Sequence, residues 1–483
     1  MTSAPDPQNA APKTPVHPVR RLLIVGLGVL VAPLDSSVNV AFPYITDHYS
    51  VAASDMRLIV VSFILTTISL LLIAGRAGDV WGYRRVFQSG LLISAAALAL
   101  DAAAPPFPVL LAARVIQGIG AALIVGSGPA LAIGLFAENR RGQVIGVYGM
   151  MFAAGLVAGP YLGGLLIDGF GWEAVFWYRV PVALAALALS PLLPAPGARE
   201  ETVQFDFTGA GMLGAGIAGL FIAVNMIWTG GGVWLVFAAI SVLGFAFFIR
   251  RQSHHPQPII DLSYFRRPWF SSLAAASVLV NLASFVIMLL TPFYLRRISG
   301  LGAGDAGLIL ASYPLGIAIA FLATGKILGA GQLSARALAA RLLILAPLVQ
   351  GAGLWLIGGW GAVASLGAML AAMGLTGLTL GMFQAAYFYT VTDEFPRSDR
   401  GVAGSLVEMT RSMGFVTAAS LLFELFRIIS KTAAAGGARP DAAFLAGYQT
   451  TFHLAAAISV VVFALVLLAS KAQGTGANTK PTG

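Results

Sequence analysis

The stretch VLVAPLDSSVNVAF, residues 29–42, sets one carboxylate, Asp35, among apolar and small polar side chains. An ionisable group in such a run is costly and usually functional when the run lies in a membrane. The rest of the chain says that it does. Of 483 residues, 58% are hydrophobic and only 10% are charged, whereas a water-soluble protein carries about 25% charged residues. Apolar runs of about 20 residues, enough to cross the hydrocarbon core, recur to the end of the chain. Strand-type alternation is absent, which argues against a barrel. The expected class is therefore an all-α integral membrane protein.

Fourteen spans are expected, near 22–45, 58–75, 86–104, 109–132, 142–167, 174–193, 208–227, 232–249, 270–294, 304–325, 337–357, 361–388, 401–426 and 446–470. An even count puts both termini on one side. Loops on that side hold most of the 29 Lys and Arg, while the other side holds Arg57, Arg296, Arg297, Arg427, Lys431 and Arg439. The positive-inside rule then predicts cytoplasmic termini in a plasma (inner) membrane. The net charge of +9 is accounted for by these loops, and no nucleic-acid partner is expected.

Two polar linkers, PAPGAREETVQFDF (194–207) and RQSHHPQPIIDLSYFRRP (251–268), divide the spans six, two, six. The predicted organisation is a disordered tail over 1–20, a six-helix bundle over 21–193, a two-helix insertion with its linkers over 194–268, a second six-helix bundle over 269–470 and a tail over 471–483. Arg20 and Arg21 lead into the first span as an anchor, not a cleaved leader. A faint repeat, GRAGDVWGYRR (75–85) against GKILGAGQLSAR (325–336), fits parallel halves with substrate held between them.

With no Cys and five His at no zinc-ligand spacing, no metal site is expected. There is no P-loop motif, so no nucleotide is expected either. No cofactor is expected, and if the chain moves a solute uphill its energy source would be a proton gradient.

Several constellations carry chemistry. Arg114 lies in the fourth span in LLAARVIQGIGAA (110–122), followed by Gln117. At 1.5 Å per residue, Asp35 is about 20 Å in from one face and Arg114 about 8 Å in from the other. In a core of about 30 Å the two share a depth. They are expected to pair when Asp35 is ionised and to separate when it is protonated, which would couple a proton to movement. A static ion pair and an Arg snorkelling to the surface are the plainer readings. Glu408 and Arg411 form a second intramembrane pair on one face of the thirteenth span, either a titrating site or a structural lock. Glu424 and Arg427 repeat the spacing nearer the end, where a solvated pair is expected, and His453 is expected to be packed.

Gly155, Gly159 and Gly163 in GLVAGPYLGG (155–164) line one helix face, on which another helix can approach closely. Pro160 favours a bend. In GRAGDVWGYRR, Asp79 can pair with Arg residues and a neighbouring helix start to latch one conformation. Asn281, Phe285 and Met288 share a face of the ninth span, and the twelfth holds Phe383, Gln384, Tyr387 and Tyr389. Such side chains make an adaptable wall for an amphipathic substrate, although core or lipid packing would use them equally well.

These motifs resemble those of the major facilitator superfamily, and specifically its fourteen-span drug:proton antiporter family. The loop Gly75, Asp79, Gly82, Arg84 and Arg85, the fourth-span Arg114, Gln117 and Gly118, and the fifth-span Gly155, Gly159, Pro160, Gly163 and Gly164 carry the likeness. So do Leu34, Asp35, Asn39, Ala41 and Pro43 in the first span. Val80, Glu173 and Arg179 depart from the family pattern, Arg179 replacing an Asn in WYRVP (177–181). The resemblance implies a major facilitator fold and a proton-coupled antiporter, not an enzyme, that exports small amphipathic compounds by alternating access. Asp35, Arg114, Glu408 and Arg411 would handle the proton. Asn39, Gln117, Asn281, Phe285, Met288, Gln384 and Tyr387 would meet substrate. A proton-coupled metabolite importer and a non-transporting sensor or scaffold are the rivals. A periplasmic adaptor as partner stays open.

Overall fold

A computed structural model describes residues 18–135, 141–194, 206–227, 231–254, 265–329, 335–361, 364–394 and 400–477. The tails at 1–17 and 478–483 and most of both linkers lie outside the described residues, as does 330–334 of the second repeat motif. Among the described residues there is no strand, and fourteen helices are long and apolar enough to cross a membrane. The first six are Val19–Tyr49, Ala53–Leu71, Tyr83–Ala102, Phe107–Ala132, Tyr148–Phe170 and Ala174–Leu192. Phe207–Val224 and Val233–Gln252 follow, then Pro268–Arg297, Ala303–Leu328, Ala335–Gly358, Leu366–Asp393, Leu406–Ala435 and Pro440–Ser470. The first six and the last six form two bundles. The seventh span packs on the second and thirteenth, where the bundles meet, and the eighth packs chiefly on the seventh. The described residues begin and end on the same side, here called proximal; the other end is distal.

Small residues bring the helices together. A Cβ added at Gly118 would lie 2.7 Å from the Phe63 carbonyl oxygen, and one at Gly126 would lie 2.9 Å from the Gly75 nitrogen. The second and fourth spans are thus nearly in backbone contact, an approach only small residues permit. The second-span helix continues through the polar motif to Trp81, and the next starts at Tyr83. The expected loop is a single-residue corner at Gly82, whose φ of 89° suits glycine. Asp206 starts the seventh span by accepting from the Gly209 nitrogen at 2.8 Å and is gripped by Arg251 at 2.6 Å and Gln252 at 3.0 Å. It is an N-cap that also ties the seventh span to the eighth.

The first span is broken. A helix Pro18–Leu30 ends, a 3₁₀ turn Pro33–Ser36 follows, and a second helix runs Ser37–Tyr49. Pro33 has no backbone N–H to continue the ladder. The break was not expected, and it sets Asp35 inside the irregular segment.

The bundles are tied at the distal end. Asp47 meets Arg296 at 2.8 Å, and Arg57 meets Glu424 at 3.0 Å. Asp168, at the end of the fifth span, accepts from the Ala303 and Gly304 nitrogens at 3.0 and 2.7 Å, capping the tenth span. The Glu424–Arg427 pair therefore departs from expectation. Glu424 is buried, not solvated, because Arg57 of the facing bundle covers it. At the proximal ends of the fifth and tenth spans, a Cβ at Gly149 or Gly325 meets nothing within 4 Å.

Candidate functional site

Between the bundles lies a cavity of about 1340 Å³, its open mouth included, walled by spans from both bundles. Its lining is largely apolar, including Phe42, Phe63, Phe152, Tyr313 and Phe415, and its polar groups include Asp35, Asn39, Arg114, Gln384, Glu408 and Arg411.

Asp35 is held from three sides. Arg114 donates to both of its oxygens, Nη1 to Oδ1 and Nη2 to Oδ2, each at 2.7 Å. Gln117 accepts from Arg114 and donates to Asp35 at 3.2 Å. Arg179 donates Nη1 to Oδ1 at 2.6 Å. Parallel guanidinium–carboxylate bonds of this kind are the strong, geometrically exacting ones. The Asp35 side chain keeps 13% of its surface, whereas those of Arg114 and Arg179 keep 2% and 0%. The acid is thus the most exposed member of the cluster toward the cavity, which Arg114 also lines. Arg114 also lies over the Phe63 ring at 4.4 Å, and Arg179 Nε donates to the Val175 carbonyl at 2.9 Å, which fixes both guanidinium planes.

The glycine stripe of the fifth span lies against this same segment. A Cβ at Gly155 would lie 2.7 Å from Pro33, one at Gly159 3.1 Å from the Ser37 nitrogen, and one at Gly163 2.7 Å from the Ser37 Cβ. Pro160 leaves the Leu156 carbonyl without its helical donor, and the Ser36 hydroxyl donates to it at 3.2 Å. The fifth-span helix stays continuous over Arg141–Phe170. Its Pro160 and Gly164 face the other bundle. A Cβ at Gly307 would crowd the Pro160 carbonyl, and one at Gly164 would crowd Ala303. One helix therefore touches the acid's segment on one side and the opposite bundle on the other.

Glu408 and Arg411 form the second polar spot, on the opposite wall. Their side chains pair at 2.6 Å and keep 33% and 20% of their surface. Arg411 lies near the rings of Phe152 and Phe415 at 5.6 and 5.8 Å, the first of these from the facing bundle.

The substrate candidates divide. Asn39, Phe285, Met288 and Gln384 line the cavity. Gln117, Asn281 and Tyr387 are absent from its lining among the described residues. Gln117 is used up in the Asp35–Arg114 pair. Asn281 is fully buried, donating to the Ser277 carbonyl at 2.8 Å and accepting from Gln384 at 3.0 Å. Tyr387 is buried beside Thr410. Each of these polar groups is taken up by a neighbour within the wall, so they lie one layer behind the cavity surface on which they were expected. In the expected latch, Gly75 packs on Gly126, Arg84 donates to the Leu193 carbonyl at 3.0 Å and Arg85 is exposed. The Asp79 side chain lies outside the described residues. His453 stacks on Trp355 at 4.1 Å, a packed position.

Arg179 was not assigned a role from sequence, beyond its departure from a family pattern. The available signal was its isolation among apolar residues in FWYRVPV, but a position near a span end reads equally well as an interfacial Arg.

Among sequence families, the Major Facilitator Superfamily description matches residues 25–209. The tetracenomycin C resistance and export protein of Streptomyces glaucescens is 31% identical over 415 residues, covering 82% of this chain and 74% of that protein. The riboflavin transporter RibZ of Clostridioides difficile (strain 630) is 24% identical over 408 residues, covering 84% and 87%. A crystal structure of a bacterial homolog of the human lysosomal transporter Spinster superposes with a TM-score of 0.70 at 16% identity, covering 94% of this chain and 97% of that one.

Proposed function

This chain belongs to the major facilitator superfamily, and we propose that within it the protein is a proton-coupled exporter of small amphipathic compounds. The observation that carries this reading is Asp35. It is the most exposed member of a buried acid–base cluster at the cavity wall, set in a broken helix against the span that reaches the other bundle. Protonating Asp35 weakens its hold on two guanidiniums, and the packing of the 33–37 segment on the glycine stripe transmits the change to the fifth and tenth spans. The distal ties then release while the proximal side closes.

If the Lys and Arg bias is read as cytoplasmic termini in an inner membrane, the ties at the distal end and the open space at the proximal end fit an inward-facing state. The membrane potential supplies about 2.3 kcal/mol per charge per 100 mV, and a pH difference adds to it. The aromatic and Met lining suits substrates with an apolar body, and Glu408 and Asp35 give a polar or cationic end a place to sit. The similarity to the tetracenomycin C resistance and export protein supports outward transport of such a compound. Carriage of a metabolite is the second reading, favoured by the similarity to a riboflavin transporter.

Purified protein in liposomes holding a pH-sensitive dye tests both. Ethidium, an amphipathic aromatic cation, should cross in one direction as protons cross in the other. Ethidium movement without proton movement overturns the coupling, and proton-linked movement of riboflavin but not ethidium selects the second reading.

A further inference from the structure

Asp101 has not yet entered the account. It is the penultimate residue of the third span and is fully buried. Among the described residues neither of its carboxyl oxygens has a hydrogen-bond donor. It nonetheless stands in the field of Arg114, Arg179 and Asp35. One further atom of the same cluster lacks a partner: among the described residues, Arg179 Nη2 is buried without an acceptor, while its Nη1 serves Asp35. An unused donor and an unused acid thus share one desolvated site, where each is costly alone and would satisfy the other.

Charge balance points the same way. Arg114 and Arg179 against an ionised Asp35 leave one positive charge in a buried cluster. With both acids ionised the cluster is neutral, and a single proton on either acid restores the same net charge. The two acids differ in where they lie. Asp35 reaches the cavity. Asp101 lies at the distal end of the third span within the field of Tyr49, and Tyr49 belongs to an aromatic group in which it meets Phe107 at 5.5 Å and Trp172 at 5.8 Å, and Trp172 meets His48 at 5.2 Å. The Tyr49 hydroxyl donates to the Pro105 carbonyl at 2.6 Å. The charged and titratable groups around Asp101 are Arg114 from the fourth span, Arg179 from the sixth, and Asp35 and Tyr49 from the first. Glu173, which precedes the sixth-span helix, bears on Tyr49.

We propose that Asp101 is a second proton-exchanging carboxyl of the coupling cluster, taking over the Arg179 guanidinium when Asp35 is protonated and standing between Asp35 and the distal surface. The step moves one proton between the two carboxyls and water, and no other group is consumed. The inference rests on the Asp35 coupling proposed above and extends it from one acid to two.

Infrared spectra of the full-length protein in detergent, recorded across pH, test it, because a protonated carboxyl shows its own C=O stretch. Subtracting each variant from the wild type isolates one residue. Asp35→Asn should remove one titrating band and Asp101→Asn another, and each variant should displace the midpoint of the band that remains. If Asp101→Asn does not fold, Asp101→Glu keeps the acid and should shift its band without removing it.

A band for Asp35 with none for Asp101, or an Asp101 band that never titrates, overturns this inference and leaves the Asp35 coupling standing. Absence of a titrating band for Asp35 overturns the coupling itself.

Discussion

The distal tie between Arg57 and Glu424 should set the balance between the two ends of the protein. Glu424 is buried and accepts from Arg57 of the facing bundle at 3.0 Å, while Arg427, three residues on in the same helix, holds it from behind. Arg57→Met removes the inter-bundle bond and leaves Glu424 paired. Arg427→Met removes the intrahelical partner and leaves the tie. A hydrogen bond to a charged group contributes about 1.5–3 kcal/mol. The Arg57 side chain is 11% exposed, so water can partly replace it and the low end applies. About 1.4 kcal/mol is a factor of ten in an equilibrium, so Arg57→Met should raise the ratio of distal-open to distal-closed molecules roughly tenfold. The chain has no Cys, so spin labels at Phe170→Cys and Leu308→Cys report alone. Both positions are exposed, one on each side of the contact between the fifth and tenth spans. Pulsed electron resonance should show the long-distance population grow in Arg57→Met and stay near wild type in Arg427→Met. Equal growth in both variants, or none in Arg57→Met, refutes the reasoning.

Other perturbations give separate readings. Gly163→Leu puts a branched side chain where a Cβ already lies 2.7 Å from Ser37. Overpacking of this kind costs about 1–3 kcal/mol, so the melting temperature should fall and ethidium transport should stop, whereas Gly169→Leu, with open space around it, should change neither. Arg179→Met leaves Asp35 paired only with Arg114 and Gln117, and the pH profile of transport should move while ethidium binding, measured by fluorescence, persists. Asp206→Ala removes an N-cap worth about 1 kcal/mol together with the Arg251 and Gln252 bonds. It should lower the melting temperature with little effect on transport, because the seventh and eighth spans lie outside the cavity wall.

The legible part of the fold was the part written in long apolar windows and small-residue stripes. Fourteen spans, the pairing depth of Asp35 and Arg114, and a close approach along Gly155, Gly159 and Gly163 all follow from spacing. What spacing could not supply was the backbone break at residues 31–36, since a hydropathy window is blind to a missing hydrogen bond at Pro33. Nor could it say that the glycine stripe meets that break.

Span ends were the other blind spot. Asp101, Arg179 and Glu424 sit where a charge can snorkel to water, and a single sequence does not show whether another helix covers it. The first is fully buried near Tyr49, the first-span acid claims the second, and Arg57 covers the third. Asn281 and Tyr387 were misplaced for a related reason. A shared helix face has an angular width, and whether a polar group on it opens to a cavity or turns to Gln384 or Thr410 depends on the neighbouring helix.

The claim on which the rest depends is that the Asp35 carboxyl links proton movement to substrate movement. Liposomes carrying Asp35→Asn protein, tested with ethidium, separate the two movements directly. Ethidium should still exchange across the membrane when no gradient is imposed, and a pH gradient should no longer drive it uphill. Uphill accumulation by Asp35→Asn at the wild-type level contradicts the account.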